Sequence, residues 1–326
     1  MTADRTQKVV AVVVSYNRAA LLRDTLAALA AQSRPADAVL VVDNASTDGA
    51  LEVARGAVPA VDVVALQSNT GGAGGFAVGM SEAMRRYDAD WVWVMDDDTV
   101  PRPGALEGLL DALGRHPGRD RVAVLGSRVV WTDGRDHPMN TPRRKPFVRR
   151  GERNAAAVAG AVPVRSISFV SSMFRAQAIR EDGLPIADYF LWNDDFEFTA
   201  RLLRRRWGLA VGGSVVEHRT RVAGSTDADP GERFFFEVRN KIWLFLHSRA
   251  LGPAELVLYV AASAVRWTRT FAGSRDRAVL RTGLRKGISA GIRSRPRSNP
   301  QVLAGCGLNS AALAHLGRPA ARARLG

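Results

Sequence analysis

Residues 9–14 read VVAVVV, and an unbroken apolar, β-branched run of that length marks a strand covered on both faces. Leu21, Leu22, Leu26 and Leu29 then recur at helical spacing over 19–32. The alternation continues. Residues 38–42 form a second buried strand, and a helix through Ala57 follows with Ser46 or Thr47 at its cap. A third strand covers 61–66, a helix covers 73–87, and a fourth strand, 91–95, runs into Asp96-Asp97-Asp98. Strand–helix alternation implies parallel strands joined by right-handed crossovers. The expected class is therefore α/β, a doubly wound and mostly parallel sheet flanked by helices. Ligands of such sheets bind beyond the carboxyl ends of the strands, where the polar clusters of this chain fall.

Past residue 100 the pattern loosens. Residues 143–153 are basic and proline-flanked, which predicts a mobile surface loop. SISFVSSMF at 166–174 predicts a strand, 188–206 a turn and an amphipathic helix starting near Asp194, and 209–216 a strand that delivers Glu217 and His218. Helices over 234–247 and 255–271 break at Gly252-Pro253. The expected organisation is a catalytic domain over 1–250 and a helical, arginine-rich region over 251–326.

Charge adds one thing to this picture. The net charge of +14 concentrates after residue 248, where 14 Lys/Arg face two acids, Glu255 and Asp276. Nucleic acid, an anionic membrane surface or a phosphorylated acceptor each answers such a surplus, as does a plain solvated tail. A nucleic-acid binder would leave Asp96–Asp98 without purpose, so nucleic acid is set aside. The apolar stretch 256–265 is shorter than the roughly 20 residues a bilayer span needs, and arginines follow at once; this suits interfacial docking. The single cysteine, Cys306, excludes an internal disulfide and fits a reducing compartment. The expected location is cytoplasmic, peripheral at the inner face of the membrane.

The acids carry the strongest chemistry. Side chains alternate along a strand, so Asp96 and Asp98 share a side that Asp97 does not. Two converging carboxylates suit Mn²⁺ or Mg²⁺, hard cations that leave positions for phosphate oxygens. Capping of a helix at 103–113 is the plainer use of the same acids. His218 closes a later strand and is positioned to complete a metal shell through a neutral imidazole. Asp194 and Asp195 open a helix, where the dipole alone favours them, or one serves as a general base. Asn69-Thr70-Gly71-Gly72-Ala73-Gly74-Gly75 brings backbone amides to a helix start, an arrangement suited to anions. Its Gly72-x-Gly74-x-x-Ala77 core also satisfies a loose dinucleotide fingerprint, but after the third strand instead of the first. A nucleotidyltransferase would use a similar sheet and paired acids. It would carry a glycine-rich, basic first loop, whereas this one is Ser15-Tyr16-Asn17-Arg18.

VVVSYNR, VVDNAST, SNTGGAGGFAVGM, WVWVMDDDT, WNDDFEF and RFFFEVRN together resemble glycosyltransferase family 2, the inverting GT-A type, in order and approximate spacing over 9–245. NTGGAGGFAVGM, DADWVWVMDDD and PGERFFFEVRN are most similar to bacterial galactofuranosyltransferases that begin the cell-wall galactan; rhamnosyltransferases of cell-wall linkers share most of these motifs. The resemblance implies a nucleotide-sugar donor, UDP-galactofuranose or dTDP-rhamnose, and a polyprenyl-diphosphate-linked glycan acceptor. It implies that Ser15, Asn17 and Asp43 line the nucleotide pocket, and that Asn69, Gly71 and Gly72 lie on the donor side. Asp96 and Asp98 become the metal–diphosphate motif with His218 as a further ligand, and Asp97 lies near the donor sugar. Asp195 matches the catalytic base, with Asp194 second; Asn193 departs from the usual residue after Trp192. Trp192, Arg233 and Arg239 are candidates for acceptor or diphosphate contact.

Overall fold

The valine run of the first strand is split by the pleat between two cores. Val10, Val12 and Val14 join the apolar cluster on one face of the sheet, and Val9, Ala11 and Val13 the cluster on the other. In the computed structural model, which describes residues 7–221 and 229–317, this strand is β1 (Val9–Ser15). It pairs in parallel with β2 (Ala38–Asp43) and with β4 (Trp91–Asp96), and β3 (Asp62–Ala65) extends the sheet beyond β2. Helices α1 (Ala19–Ala30), α2 (Ala50–Arg55) and α3 (Gly71–Tyr87) make the crossovers. The register aligns Ser15 with Asp43, and Val14 with Asp96. Three strand ends therefore open on one edge.

The second half comprises β5 (Thr99–Pro101), α4 (Ala105–Arg115), β6 (Val122–Val130), β7 (Arg143–Arg144), α5 (Arg150–Val158), β8 (Ala161–Ser166), β9 (Ser172–Arg175), α6 (Ala176–Asp182), α7 (Asp194–Leu202) and β10 (Trp207–His218). The sheet order is β3-β2-β1-β4-β9-β6-β10-β8-β7, with β5 beside β10. β10 runs parallel to β6 and antiparallel to β5, which sets His218 opposite Thr99 and so beside the acidic trio. The expected α/β sheet is present, with antiparallel β9 wedged between β4 and β6.

Four local expectations are corrected. The stretch 143–153 is not a loop throughout: β7 pairs with β8, and α5 seats Ala155 and Ala156 while buried Glu152 takes Lys145 on both carboxylate oxygens. The segment 166–174 is not one strand: Ser166 ends β8, Ser172 starts β9, and the residues between, ending at left-handed Ser171 (φ 54°), belong to neither. Ser46 and Thr47 cap nothing; α2 starts after Gly49, and both residues bond Asn17 instead. α3 begins at Gly71, so the glycine-rich segment is largely its first turns.

Helix α8 (Phe234–His247) ends before the predicted Gly252-Pro253 break, and α9 (Pro253–Gly273) follows. α10 (Arg277–Arg293) lies along α8, with Gly283, Gly287 and Gly291 admitting Phe235, Val238 and Ile242. Short α11 (Asn299–Leu303) and α12 (Ser310–Leu316) return to α3, so the C-terminal segment packs against the sheet layer. Among the described residues no helix is long and apolar enough to cross a membrane.

Candidate active site

β4 ends at Asp96, and the turn through Asp97 and Asp98 into β5, not the strand pleat expected from the sequence, separates the acids. Asp97 turns inward, where its Oδ2 accepts from Ser15 Oγ (3.0 Å) and the Tyr16 amide (2.9 Å). Asp96 and Asp98 face His218, and one ligand atom from each of the three lies within 4.8 Å of the others. His218 Nε2 is 3.1 Å from Asp98 Oδ1, while Nδ1 meets Asn140 Oδ1 at 2.8 Å. Asn140 is oriented by its own Nδ2, which donates to Ser168 Oγ. A ring that keeps its proton on Nδ1 for Asn140 Oδ1 would present the Nε2 lone pair to a cation held between the carboxylates. This is the outer-shell arrangement that prepares a histidine for a metal.

Burial and Asp98 push the Asp96 carboxyl up to about 7, and burial pushes Asp97 to about 6. Against the same burial, His218 and Arg18 hold Asp98 below the ordinary range. Arg18 Nη1 bonds both Asp97 and Asp98. A crowded carboxyl at Asp96, an ionised one at Asp98 whose buried Oδ1 has no hydrogen-bond partner among the described residues, and an adjacent imidazole form a donor set that fits a divalent cation.

The second acidic pair is held by a contorted loop. Phe190 (φ 63°, ψ −64°) forms a γ-turn of the rarer hand, closed by Leu191 N to Tyr189 O at 2.7 Å. Trp192 and Asn193 follow with φ of 64° each. Non-glycine residues in such conformations cost about 1–3 kcal/mol apiece and persist only where the surroundings enforce them. Here Asn240 of α8, fully buried, donates to the carbonyls of Tyr189, Leu191 and Trp192. Asn193 Nδ2 donates to Glu237 Oε2. From the opposite side the Phe190 carbonyl accepts from the Ala73 amide at 3.1 Å and sits where any Cβ on Gly71 (φ 69°) would go. The clamp delivers Asp194 and Asp195 to a cavity of about 520 Å³, also lined by Trp192, Asn140, Arg143 and Arg233. Burial, then repulsion from Asp195, raises the Asp194 carboxyl well above its usual range, and Asp96 adds to it. Burial also raises Asp195, opposed in part by Arg143 and Lys241. The two acidic clusters therefore sense each other across one site.

A family model described as "Glycosyltransferase like family 2" matches residues 6–241. The chain belongs to this family. Galactofuranosyltransferase GlfT1 of Mycobacterium tuberculosis is 30% identical over 251 residues, 71% of this chain and 80% of the relative. The N-acetylglucosaminyl-diphospho-decaprenol L-rhamnosyltransferase of the same species is 28% identical over 305 residues, 84% and 93%. Among solved structures, Staphylococcus aureus TarS 1–349 superposes with a TM-score of 0.60 at 17% identity, covering 91% of this chain and 83% of that one. Mannosyltransferase PcManGT of Pyrobaculum calidifontis, in complex with GDP-Man and Mn²⁺, gives 0.52 at 18%, covering 95% and 84%. The fold is the GT-A fold, and the protein is a glycosyltransferase; the nucleotidyltransferase alternative falls away.

Within this family-2 enzyme the expected residues have distinct fates. Asp96, Asp98 and His218 converge as expected. Asp43 is buried beside the β1 edge; its Oδ2 accepts from the Ser46 amide, and its Oδ1 has no hydrogen-bond partner among the described residues. Asn17 (φ 53°) accepts from the Thr47 amide and so ties the first two strand-end loops. Three readings change. Ser15 is 0% exposed and its hydroxyl is spent on Asp97, so it positions that acid instead of lining the pocket. The glycine-rich helix start is not a free anion cradle: Asn69 Oδ1 takes the Gly71 amide, Asn44 the Thr70 amide, and Phe190 the Ala73 amide. Gly72 stays half-buried in that first turn. Arg239 donates to the carbonyls of Asp188 and Tyr189 and lies 4.2 Å from the Trp243 ring centre, a brace for the acidic loop. Arg18, Asn44, Asn140 and Arg143 were missed. Only Arg18 had a local signal, its place in a strand-end loop; the others act on residues 26 to 78 positions away or across the cavity.

Proposed function

We propose that this enzyme transfers galactofuranose from UDP-galactofuranose, with inversion, to a polyprenyl-diphosphate-linked glycan at the inner face of a membrane. The observation that carries the reading is the meeting of Asp96, Asp98 and His218, the last held by Asn140, which itself lines the cavity that holds Asp194 and Asp195. Asp96, Asp98 and His218 would hold Mn²⁺ or Mg²⁺, which when bound neutralises a donor diphosphate and stabilises it as leaving group. Asp43, Asn17 and the Asn69–Gly72 turn form the nucleotide side; Asp97, expected near the donor sugar, is instead buried and spends its carboxylate on Ser15, Tyr16 and Arg18. Asp195 accepts the proton of the acceptor hydroxyl as that oxygen attacks the anomeric carbon. Against burial, the Phe196 amide, Arg143 and Lys241 favour its ionised form, whereas burial and the Asp195 charge raise Asp194; this supports Asp195 over Asp194. Trp192 and Arg233 face the acceptor. A catalytic part over 1–250 and a membrane-facing part over 251–326 complete the arrangement.

Galactofuranose is favoured by the name of the relatives at about 30% identity. A dTDP-rhamnose donor is the second reading, favoured by a relative matched over more of the chain. Metal-dependent release of nucleoside diphosphate from a donor panel discriminates them. UDP released from UDP-galactofuranose alone supports the first reading, and turnover of dTDP-rhamnose alone overturns it. Asp195→Asn is expected to keep UDP–Mn²⁺ affinity and lose transfer; unchanged turnover would remove Asp195 from the role.

A further inference from the structure

The loop that carries Asp194 and Asp195 is gripped from the far end of the chain. Arg297, in the arginine-rich region, donates to the Asp188 carboxylate from its backbone amide (2.8 Å) and from Nη2 (2.7 Å), with Nε at 3.2 Å. The guanidinium is 62% exposed and the Asp188 side chain 9%, so the arginine closes over a buried acid. Ion pairs with an exposed partner contribute little stability; the effect of such a fork is to fix geometry. Asn299, at the start of α11, spends both ends of its amide on the same segment. Its Oδ1 accepts from the Ala187 amide and its Nδ2 donates to the Pro185 carbonyl, each at 2.9 Å. These are the partners that backbone groups outside a sheet need.

The same segment also holds the donor side. The Cys306 carbonyl accepts from the Gln67 amide at 3.0 Å, and Cys306 Sγ lies 3.3 Å from Ser68 Oγ. Leu303 is fully buried, 3.5 Å from where a Cβ on Gly74 would stand. At Gly307 (φ 84°) a Cβ would come within 2.9 Å of Gln67 Cγ, so the chain passes the turn after β3 in close contact. Upstream, Trp243 of α8 donates its indole N–H to the Ser294 carbonyl at 3.0 Å. Residues 294–307 therefore run from α8, past the acidic loop, to the turn that precedes Gly71. The two loops they touch meet where the Phe190 carbonyl fills the space beside Gly71. A segment fixed to both sides of that contact sets how the loops stand to each other.

We infer that Arg297 and Asn299 are positioning residues for the transfer reaction: they fix 185–188 and, through the turns at 190–193, set where Asp195 stands. This rests on the transferase reading above and assigns 294–307 to the catalytic part, leaving 251–293 to face a membrane. At least one arginine of the C-terminal surplus is then spent on an acid of the protein itself. The full chain is compared with Arg297→Gln and with Asn299→Asp, which keeps the shape but sets a carboxylate against the Pro185 carbonyl. Turnover is read as nucleotide release from the donor that the wild type uses, with Mn²⁺ saturating. Both variants are expected to lose kcat about tenfold to a hundredfold, since displacing a reacting group by about 1 Å costs about 100-fold. UDP–Mn²⁺ affinity stays within about twofold. The Asp188→Asn/Arg297→Gln double variant falls no further than its worse single, because the two act as one unit. Arg281→Gln, exposed on α10, leaves kcat unchanged. Hydrogen exchange without substrate is expected to quicken over 185–196 in both variants and to stay as in the wild type over β1.

Wild-type kcat or wild-type exchange over 185–196 in the two variants would overturn the inference. So would a loss of UDP–Mn²⁺ affinity equal to the loss of kcat, which is what general loosening gives, or additive losses in the double variant. Should Asn299→Asp not fold, Arg297→Gln, altered at an exposed side chain, carries the test alone. Failure of the wild type to release nucleotide from any donor would defeat the transferase reading instead; the exchange measurement needs no turnover and still decides whether 294–307 holds the acidic loop.

Discussion

Asn140→Leu tests the metal centre without touching a ligand. The side chain keeps its bulk but loses the oxygen that accepts from His218 Nδ1 at 2.8 Å and the amide that donates to Ser168 Oγ at 3.1 Å. His218 and Asn140 are both buried, so the Nδ1–H is left without an acceptor, at a cost of about 1–3 kcal/mol in stability. Ser168 is only half-buried and water replaces its partner. The larger effect falls on metal binding. With the ring free to turn or to exchange tautomers, Nε2 no longer faces Asp98 Oδ1 by default, and loss of such outer-shell partners lowers metal affinity about 10–100-fold. That corresponds to about 1.4–2.8 kcal/mol. Calorimetric titration of Mn²⁺ with UDP reads the affinity, and urea denaturation reads the stability separately. In a His218→Ala background the same substitution should cost no further metal affinity, because the two act as one unit. Unchanged Mn²⁺ affinity in folded Asn140→Leu, or a full loss persisting without His218, would refute the reasoning.

Chelation is expected to abolish nucleotide release and Mn²⁺ or Mg²⁺ to restore it; full activity in excess EDTA would contradict the Asp96–Asp98–His218 assignment. Because burial raises the Asp195 carboxyl, a base at that position is protonated, and turnover lost, as pH falls through a value above the ordinary Asp value of about 3.9; a kcat–pH profile with its acid limb at or below that value would count against it. Gly79→Ala drives a methyl into Val12 and towards Val42, on strands buried on both faces. Overpacking of this kind costs about 1–3 kcal/mol, read as a lowered urea midpoint, and an unshifted midpoint would show that α3 can lift off the sheet freely.

Much of the fold was legible because its signals are local. The valine run of β1, the leucines of α1 and the Trp91–Met95 strand state their own periodicity, and a strand–helix alternation leaves few topologies open. The metal acids were legible as a cluster at a strand end, but not through the pleat: β4 stops at Asp96, and a turn through Asp97 and Asp98, held by Ser15 and Tyr16, sends Asp97 inward. His218 was proposed from its place at a strand end and then by resemblance; what sets it beside Asp98 is the antiparallel register of β5 with β10.

The glycine-rich segment shows where local signals fail. Read alone, Asn69–Gly75 offers free amides at a helix start, but those amides are taken by Asn44, Asn69 and the Phe190 carbonyl. The need for Gly71 comes from a carbonyl 119 positions on, in a turn that no composition or period announces. Arg143 and Arg239 exchange roles on the same grounds: the arginine in the basic, proline-flanked stretch reaches the cavity, while the one in the RFFFEVRN motif spends its donors on backbone. A residue's type and spacing set what its side chain is able to bind. Which partner it meets depends on distant chain segments brought together by burial, and only the folded chain decides that.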